Sequence, residues 1–99
     1  MKIIVLAPAK QEFDEAFAYY EQRQVGLGEE LRSAIKAQVA KIKTHPDAWM
    51  LIRPGIRKCL GSQFPYDVIY ERHASLIVIL AVAHKKRRPN YWSVRTSCD

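Results

Sequence analysis

Tyr66-Asp67-Val68-Ile69-Tyr70-Glu71-Arg72, then His73-Ala74-Ser75, then Leu76-Ile77-Val78-Ile79-Leu80-Ala81-Val82-Ala83 is the stretch that decides the fold. Its first run alternates, so a strand would put Tyr66, Val68 and Tyr70 on one face and Asp67, Ile69 and Glu71 on the other. The second run is apolar without interruption, the pattern of a central strand with cover on its faces or neighbours at its edges. His73 to Ser75 is short enough to join the two as an antiparallel hairpin.

Toward the N-terminus, Ile56 to Leu60 reads as another strand and Gly61 to Pro65 as the turn after it. Before Pro46 the period changes from 2 to about 3.6. Leu31, Ala34, Ile35, Val39 and Ile42 share one helical face, and that helix ends near His45 because Pro46 disfavours helical geometry in the residue before it. Ala9, Phe13, Ala16, Phe17 and Tyr20 form an earlier apolar face, with Pro8 in the first turn and Glu12, Asp14, Glu15 and Glu21 mostly off the stripe, placed to suit the helix dipole. Gly26 and Gly28 separate the two helices, which predicts an antiparallel hairpin. Lys2 to Leu6 is β-branched and reads as a strand. Pro89 bars further ladder pairing and leaves residues 85–99 as a basic, aromatic C-terminal tail at the sheet's end. The expectation is an α+β fold: an N-terminal strand, then a helical hairpin packed on a small, mainly antiparallel twisted sheet, in the order strand, helix, helix, strand, strand, strand. Residues 1–99 are read as a single domain, since 99 residues match the usual size of one and leave no room for a separate substrate lobe.

The longest apolar run, Leu76 to Ala83, is far below the ~20 residues that span a bilayer. With no cleavable signal pattern at Met1-Lys2-Ile3-Ile4, a cytoplasmic protein without a membrane partner is expected. Cys59 and Cys98 are too few for a disulfide scaffold and are read as reduced and incidental.

Charge is distributed unevenly. Residues 1–50 carry seven Lys/Arg and seven Asp/Glu, whereas residues 51–99 carry nine Lys/Arg against Asp67, Glu71 and Asp99, so the whole net charge of +6 lies in the second half. Such asymmetry points to a polyanionic partner, either nucleic acid or an acidic protein segment. His45, His73 and His84 are widely separated, and neither a metal-binding spacing nor a glycine-rich phosphate loop occurs, so no metal and no small-molecule cofactor is expected. The densest constellation is His84-Lys85-Lys86-Arg87-Arg88-Pro89-Asn90-Tyr91-Trp92-Ser93-Val94-Arg95, where basic residues beside aromatics suit a phosphate backbone and stacked bases. His84 leaves the central strand directly, so the sheet would fix its ring, which could donate or accept a proton. A solvated basic tail whose Tyr91 and Trp92 only cover the core is the plainer alternative. Arg57 and Lys58 point to opposite faces of their strand and read equally well as surface charges.

A Tyr19-Tyr20 helix, Gly26-Leu27-Gly28, a second helix ending in His45-Pro46, Gly55-Ile56-Arg57, Phe64-Pro65-Tyr66-Asp67-Val68-Ile69-Tyr70 and Ala81-Val82-Ala83-His84, followed by Arg87 to Trp92 and Arg95, resemble in order and spacing the RelE/ParE toxin superfamily. The resemblance implies the toxin of a bacterial type II toxin–antitoxin (plasmid stabilisation) module, neutralised by a cognate antitoxin protein. ParE-like members of that family poison DNA gyrase, and RelE-like members cleave mRNA on the ribosome. Metal-free RNA cleavage needs an activated 2′-OH, a stabilised phosphate charge and a protonated leaving group. For the nuclease the matching residues are Arg57, His84, Lys85, Arg87 and Tyr91. Against this reading, Cys59 stands at a basic position and Asp67 where an arginine is expected. The segments Phe64 to Tyr66 and His84 to Trp92 look closer to ParE-type sequences. The expected activity is therefore inhibition of gyrase by binding, through Arg57, His84, Arg87, Arg88, Tyr91, Trp92 and Arg95. Ribosome-dependent mRNA cleavage and a non-toxic nucleic-acid-binding module stand as alternatives. For the antitoxin, the helical hairpin and the sheet's open edge are the expected seat.

Overall fold

The computed structural model describes residues 1–96, so Cys98, read as an incidental thiol, lies outside the described residues. The elements run β1 (Lys2–Val5), α1 (Ala7–Arg23), α2 (Leu27–Thr44), β2 (Met50–Arg53), β3 (Ile56–Cys59), β4 (Tyr66–Arg72) and β5 (Leu76–His84), with a short 3₁₀ turn at Ser93–Arg95. They form the expected α+β arrangement. The sheet has the order β1-β5-β4-β3-β2, antiparallel throughout except that β1 pairs parallel with β5. The helical hairpin covers one face. No helix among the described residues is long and apolar enough to cross a membrane.

Both apolar stripes of the helices point into the same core, where Ala9, Ala16, Leu31, Ile35 and Ile42 meet Cys59, Val68, Tyr70, Ile77, Ile79 and Val82. Fully burying each large side chain among these stabilises the fold by about 1.5–3 kcal/mol. The turn between the helices is fixed by Glu21, whose carboxylate accepts the backbone N–H groups of Gly26 and Gly28, both at 2.9 Å. Those donors at the start of α2 have no intrahelical acceptor, and a carboxylate there also suits the helix dipole.

Three expectations are corrected. The sheet has five strands rather than four, because Met50–Arg53 pairs with β3. Its side chains are largely exposed, which removes the hydrophobic alternation that would have announced it. The available signal was Pro54-Gly55: proline fixes φ near −65°, and Gly55 takes φ +77°, the left-handed second position of a type II turn that closes the β2–β3 hairpin. Second, the acids of α1 do not act on its dipole, since its first turn contains none. Third, the tail does not trail from the sheet's end. It doubles back over the face opposite the helices, where Trp92 packs with Ile56, Ile69, Leu80, Ala81 and Ala83 in a second core. The alternation of β4 is as read, and Asp67 and Glu71 on that second face are both buried.

Tyr70 donates its hydroxyl proton to the Pro46 carbonyl at 2.5 Å, tying the end of α2 to the sheet. Burial, reinforced by the nearby Cys59 and Asp47, pushes the phenol up to about 12 from 10. A raised value in the folded state means full stabilisation below the ordinary tyrosine value and loss above it. The urea midpoint should therefore hold up to about pH 10 and fall between pH 10 and 12. In Tyr70→Phe the starting stability is lower, and this part of the alkaline fall should disappear.

Candidate functional site

The site begins with an incomplete sheet edge. β1 covers β5 only from Leu76 to Ile79. Beyond that the ladder to β4 shifts register at Leu80, a bulge that turns the strand. The Leu80 carbonyl and the Val82 N–H would face a missing strand, and an unpaired backbone group away from water is costly. Two side chains replace that strand. The Glu12 carboxylate on α1 accepts the Val82 N–H at 3.1 Å, and Arg95 Nη1 donates to the Leu80 carbonyl at 3.1 Å. The two also bind each other in a forked pair, Nη1 to Oε1 at 2.9 Å and Nη2 to Oε2 at 3.2 Å. Tyr91 adds a fourth donor, its hydroxyl reaching Glu12 Oε2 at 2.6 Å.

This cluster fixes the tail. The Arg87 guanidinium lies 3.9 Å from the centre of the Tyr91 ring, and Arg95 lies 5.1 Å from it. Burial, with the Glu12 hydrogen bond and charge beside it, pushes the Tyr91 phenol well above its ordinary value. Burial alone would lower Arg95, but Glu12 outweighs it and raises the guanidinium further. His84 ends β5 with its ring edge-on to Tyr66, centroids 5.1 Å apart. Its Nδ1 accepts the Lys86 backbone N–H at 3.0 Å, so in the neutral ring Nε2 carries the proton. His84, Arg87 and Tyr91 meet around one cavity of about 220 Å³, together with Glu15, Tyr19 and Tyr66.

The other residues expected at the site lie elsewhere. Arg57 sits opposite Tyr70, on the helix side of the sheet rather than with the tail, and donates to the Trp49 carbonyl at 2.8 Å. Trp92 is only 3% exposed, with the Arg53 guanidinium 5.2 Å over its ring. Arg95 is held by Glu12. Lys85 pairs with Asp67 at 2.5 Å, whereas Arg88 is exposed at the turn before Asn90. Among the described residues, no three His, Cys, Asp or Glu side chains are grouped so as to hold a metal ion.

Glu12 is absent from the residues singled out by sequence. The reading of Glu12 as an acid off the apolar stripe of α1 is corrected: it follows Ala9 by three positions and precedes Ala16 by four, so it stands on the buried side of the helix. An acid on that side needs a buried cation, and Arg95 is that cation.

A small sheet thus carries a helical hairpin on one face and a basic strap latched to the other. The chain belongs to the ParE toxin family: the family model described as ParE toxin of type II toxin-antitoxin system, parDE, matches residues 3–89. Among solved structures it is similar to a chain of the chromosomal ParDE TA system from P. aeruginosa, at 17% identity and a TM-score of 0.62, over 85% of this chain and 95% of that one. Identity that low makes this a likeness of fold. Among curated protein sequences none matches. Tyr91, Trp92 and Arg95 lie beyond the span matched by the family.

Glu12→Gln should leave the Arg95 guanidinium, about one-sixth exposed, without its counter-charge, at a cost of about 2–4 kcal/mol. Urea unfolding measures it. A cycle with Arg95→Met should return a coupling well above the ~1 kcal/mol of surface pairs.

Proposed function

We infer that this ParE-family toxin arrests growth by binding DNA gyrase, and that a cognate antitoxin neutralises it. The observation that carries binding over strand cleavage is that two of the three candidate proton-transfer groups, Lys85 and Tyr91 but not His84, are tied to carboxylates. Lys85 Nζ is held by Asp67, and the Tyr91 hydroxyl donates to Glu12. A phenol with a raised pKa is a poorer acid, and a paired ammonium is less available to a phosphate. Family membership supports gyrase as the target, on the resemblance to ParE-type sequences.

The target-facing surface in this reading comprises His84, Arg87 and Arg88, with Tyr91 as the ring on which Arg87 rests. Trp92 and Arg95 serve it by holding the tail in place. Arg57, on the other face, contributes through the sheet it braces.

The antitoxin's seat in this reading is an apolar groove of about 300 Å³ on the helix side, lined by Val5, Phe13, Ile35 and Val39. Lys10, Arg32 and Lys36 rim the same groove. That pairing of apolar floor and basic rim suits an acidic, amphipathic segment. The groove reaches Val5 on β1, an edge strand whose outer side is unpaired, where an added strand would complete the sheet.

Purified protein mixed with gyrase and plasmid should trap cleaved DNA or block supercoiling, and Arg87→Ala should weaken this at least tenfold. Unimpaired supercoiling at micromolar protein would refute the gyrase reading. Codon-linked cuts in translated mRNA, lost in Tyr91→Phe, would establish cleavage in its place. Co-expression of the protein encoded next to the toxin should restore growth, and Val5→Arg, at an exposed position, should abolish the rescue while the toxin remains active.

A further inference from the structure

On the sheet face opposite the helices, the end of β5 and the first turns of the tail enclose a cleft of about 200 Å³. Lys58, Lys85, Arg87 and Arg88 line it, with Asp67 as the one carboxylate. Asp67 is 6% exposed, and its Oδ1 accepts both the Gly61 N–H at 3.0 Å and the Lys85 ammonium at 2.5 Å. Lys58, Arg87 and Arg88 have no carboxylate partner among the described residues. Three cations without a carboxylate partner therefore converge on one concave surface, where an anion from outside would relieve their mutual repulsion.

The chemistry of the lining selects the kind of anion. Protein partners are held by aromatic or aliphatic anchors seated in pockets, and here the rings offer none: Arg87 covers Tyr91, and Trp92 is buried with Arg53 across its face. What remains exposed is charge, including guanidinium forks whose geometry matches phosphate oxygens. Asn90, held at φ +63° in the turn that closes the cleft, adds a neutral amide to the same lining. With Tyr91 and Trp92 covered and His84 set edge-on against Tyr66, such a surface reads the backbone more than the bases.

We propose that this cleft binds the phosphodiester backbone of a nucleic acid, and that Asp67 is its internal counter-ion, occupying one of the cation positions and holding the affinity down. The site is separate from the antitoxin groove on the helix side and does not depend on gyrase as the target. Asp67→Asn keeps an acceptor for the Gly61 N–H and frees Lys85, so the variant should bind more tightly than the parent chain.

The test is a fluorescence-anisotropy titration of the full chain against a labelled 20-base-pair DNA duplex, without gyrase, at 50–200 mM NaCl. A single-stranded RNA of equal length forms a second arm. Three phosphate contacts predict a loss of about 40-fold in duplex affinity across that salt range. Lys58→Ala, at a half-buried position, or Arg88→Ala, at an exposed one, should reduce the loss to about 12-fold, and Asp67→Asn should raise it to about 150-fold. The tighter arm identifies the natural strand. No binding at 50 mM salt, a salt response unchanged by Arg88→Ala, or weaker binding by a folded Asp67→Asn would each overturn the proposal. Displacement of the duplex by polyglutamate at equal charge concentration would do so as well, by assigning the cleft to an acidic protein.

Discussion

The ion pair between Glu12 and Arg95 holds three parts of the molecule in one arrangement. Its carboxylate comes from the first helix and its guanidinium from the tail, and both bind backbone groups of β5 that β1 is too short to reach. Such a pair is buried enough that its partners are more expensive to separate than surface charges. Because it completes a sheet edge, it also settles where the tail can run. Tyr91 joins the same carboxylate, and the cation stacked on its ring is thereby placed at the mouth of the cavity beside His84.

The tail is consequently part of the fold as well as part of the site. Trp92 closes a second core over the sheet face opposite the helices, and the buried Asp67 and Glu71 keep polar partners: Lys85 for the first, His73 at 3.0 Å for the second. A five-stranded sheet covered on both faces by so short a chain needs both arrangements. The helices alone cover one side.

Two surfaces of different chemistry follow from this layering. On the helix side the groove between the hairpin and β1 is apolar with a basic rim, which matches partners that bury hydrophobic side chains. On the tail side the rings are covered by guanidinium groups and the surface is cationic. Basic residues thus line both surfaces, as the rim of an apolar groove on one and as the cleft lining on the other. The Tyr91 hydroxyl and the Lys85 ammonium of the tail are both held by carboxylates, Glu12 and Asp67.

Much of this was legible in the chain. The period-2 run from Tyr66, the unbroken apolar run from Leu76, and the helical stripes ended by Gly26 and Pro46 depend on local repetition, and repetition survives in one dimension. They determined the α+β class, the hairpin and the antiparallel pairing of β4 with β5. β2 escaped because its side chains are exposed, leaving only Pro54-Gly55 to mark it. The site was legible as a composition: His84, Arg87 and Tyr91 do meet, whereas Arg57 stands on the other face. What tertiary structure alone decided is the partnership across 83 positions that joins Glu12 to Arg95, and with it the path of the tail. Neither residue carries a local mark of the other, since an ion pair between distant segments is selected by the geometry of a sheet edge that exists only after the strands have assembled.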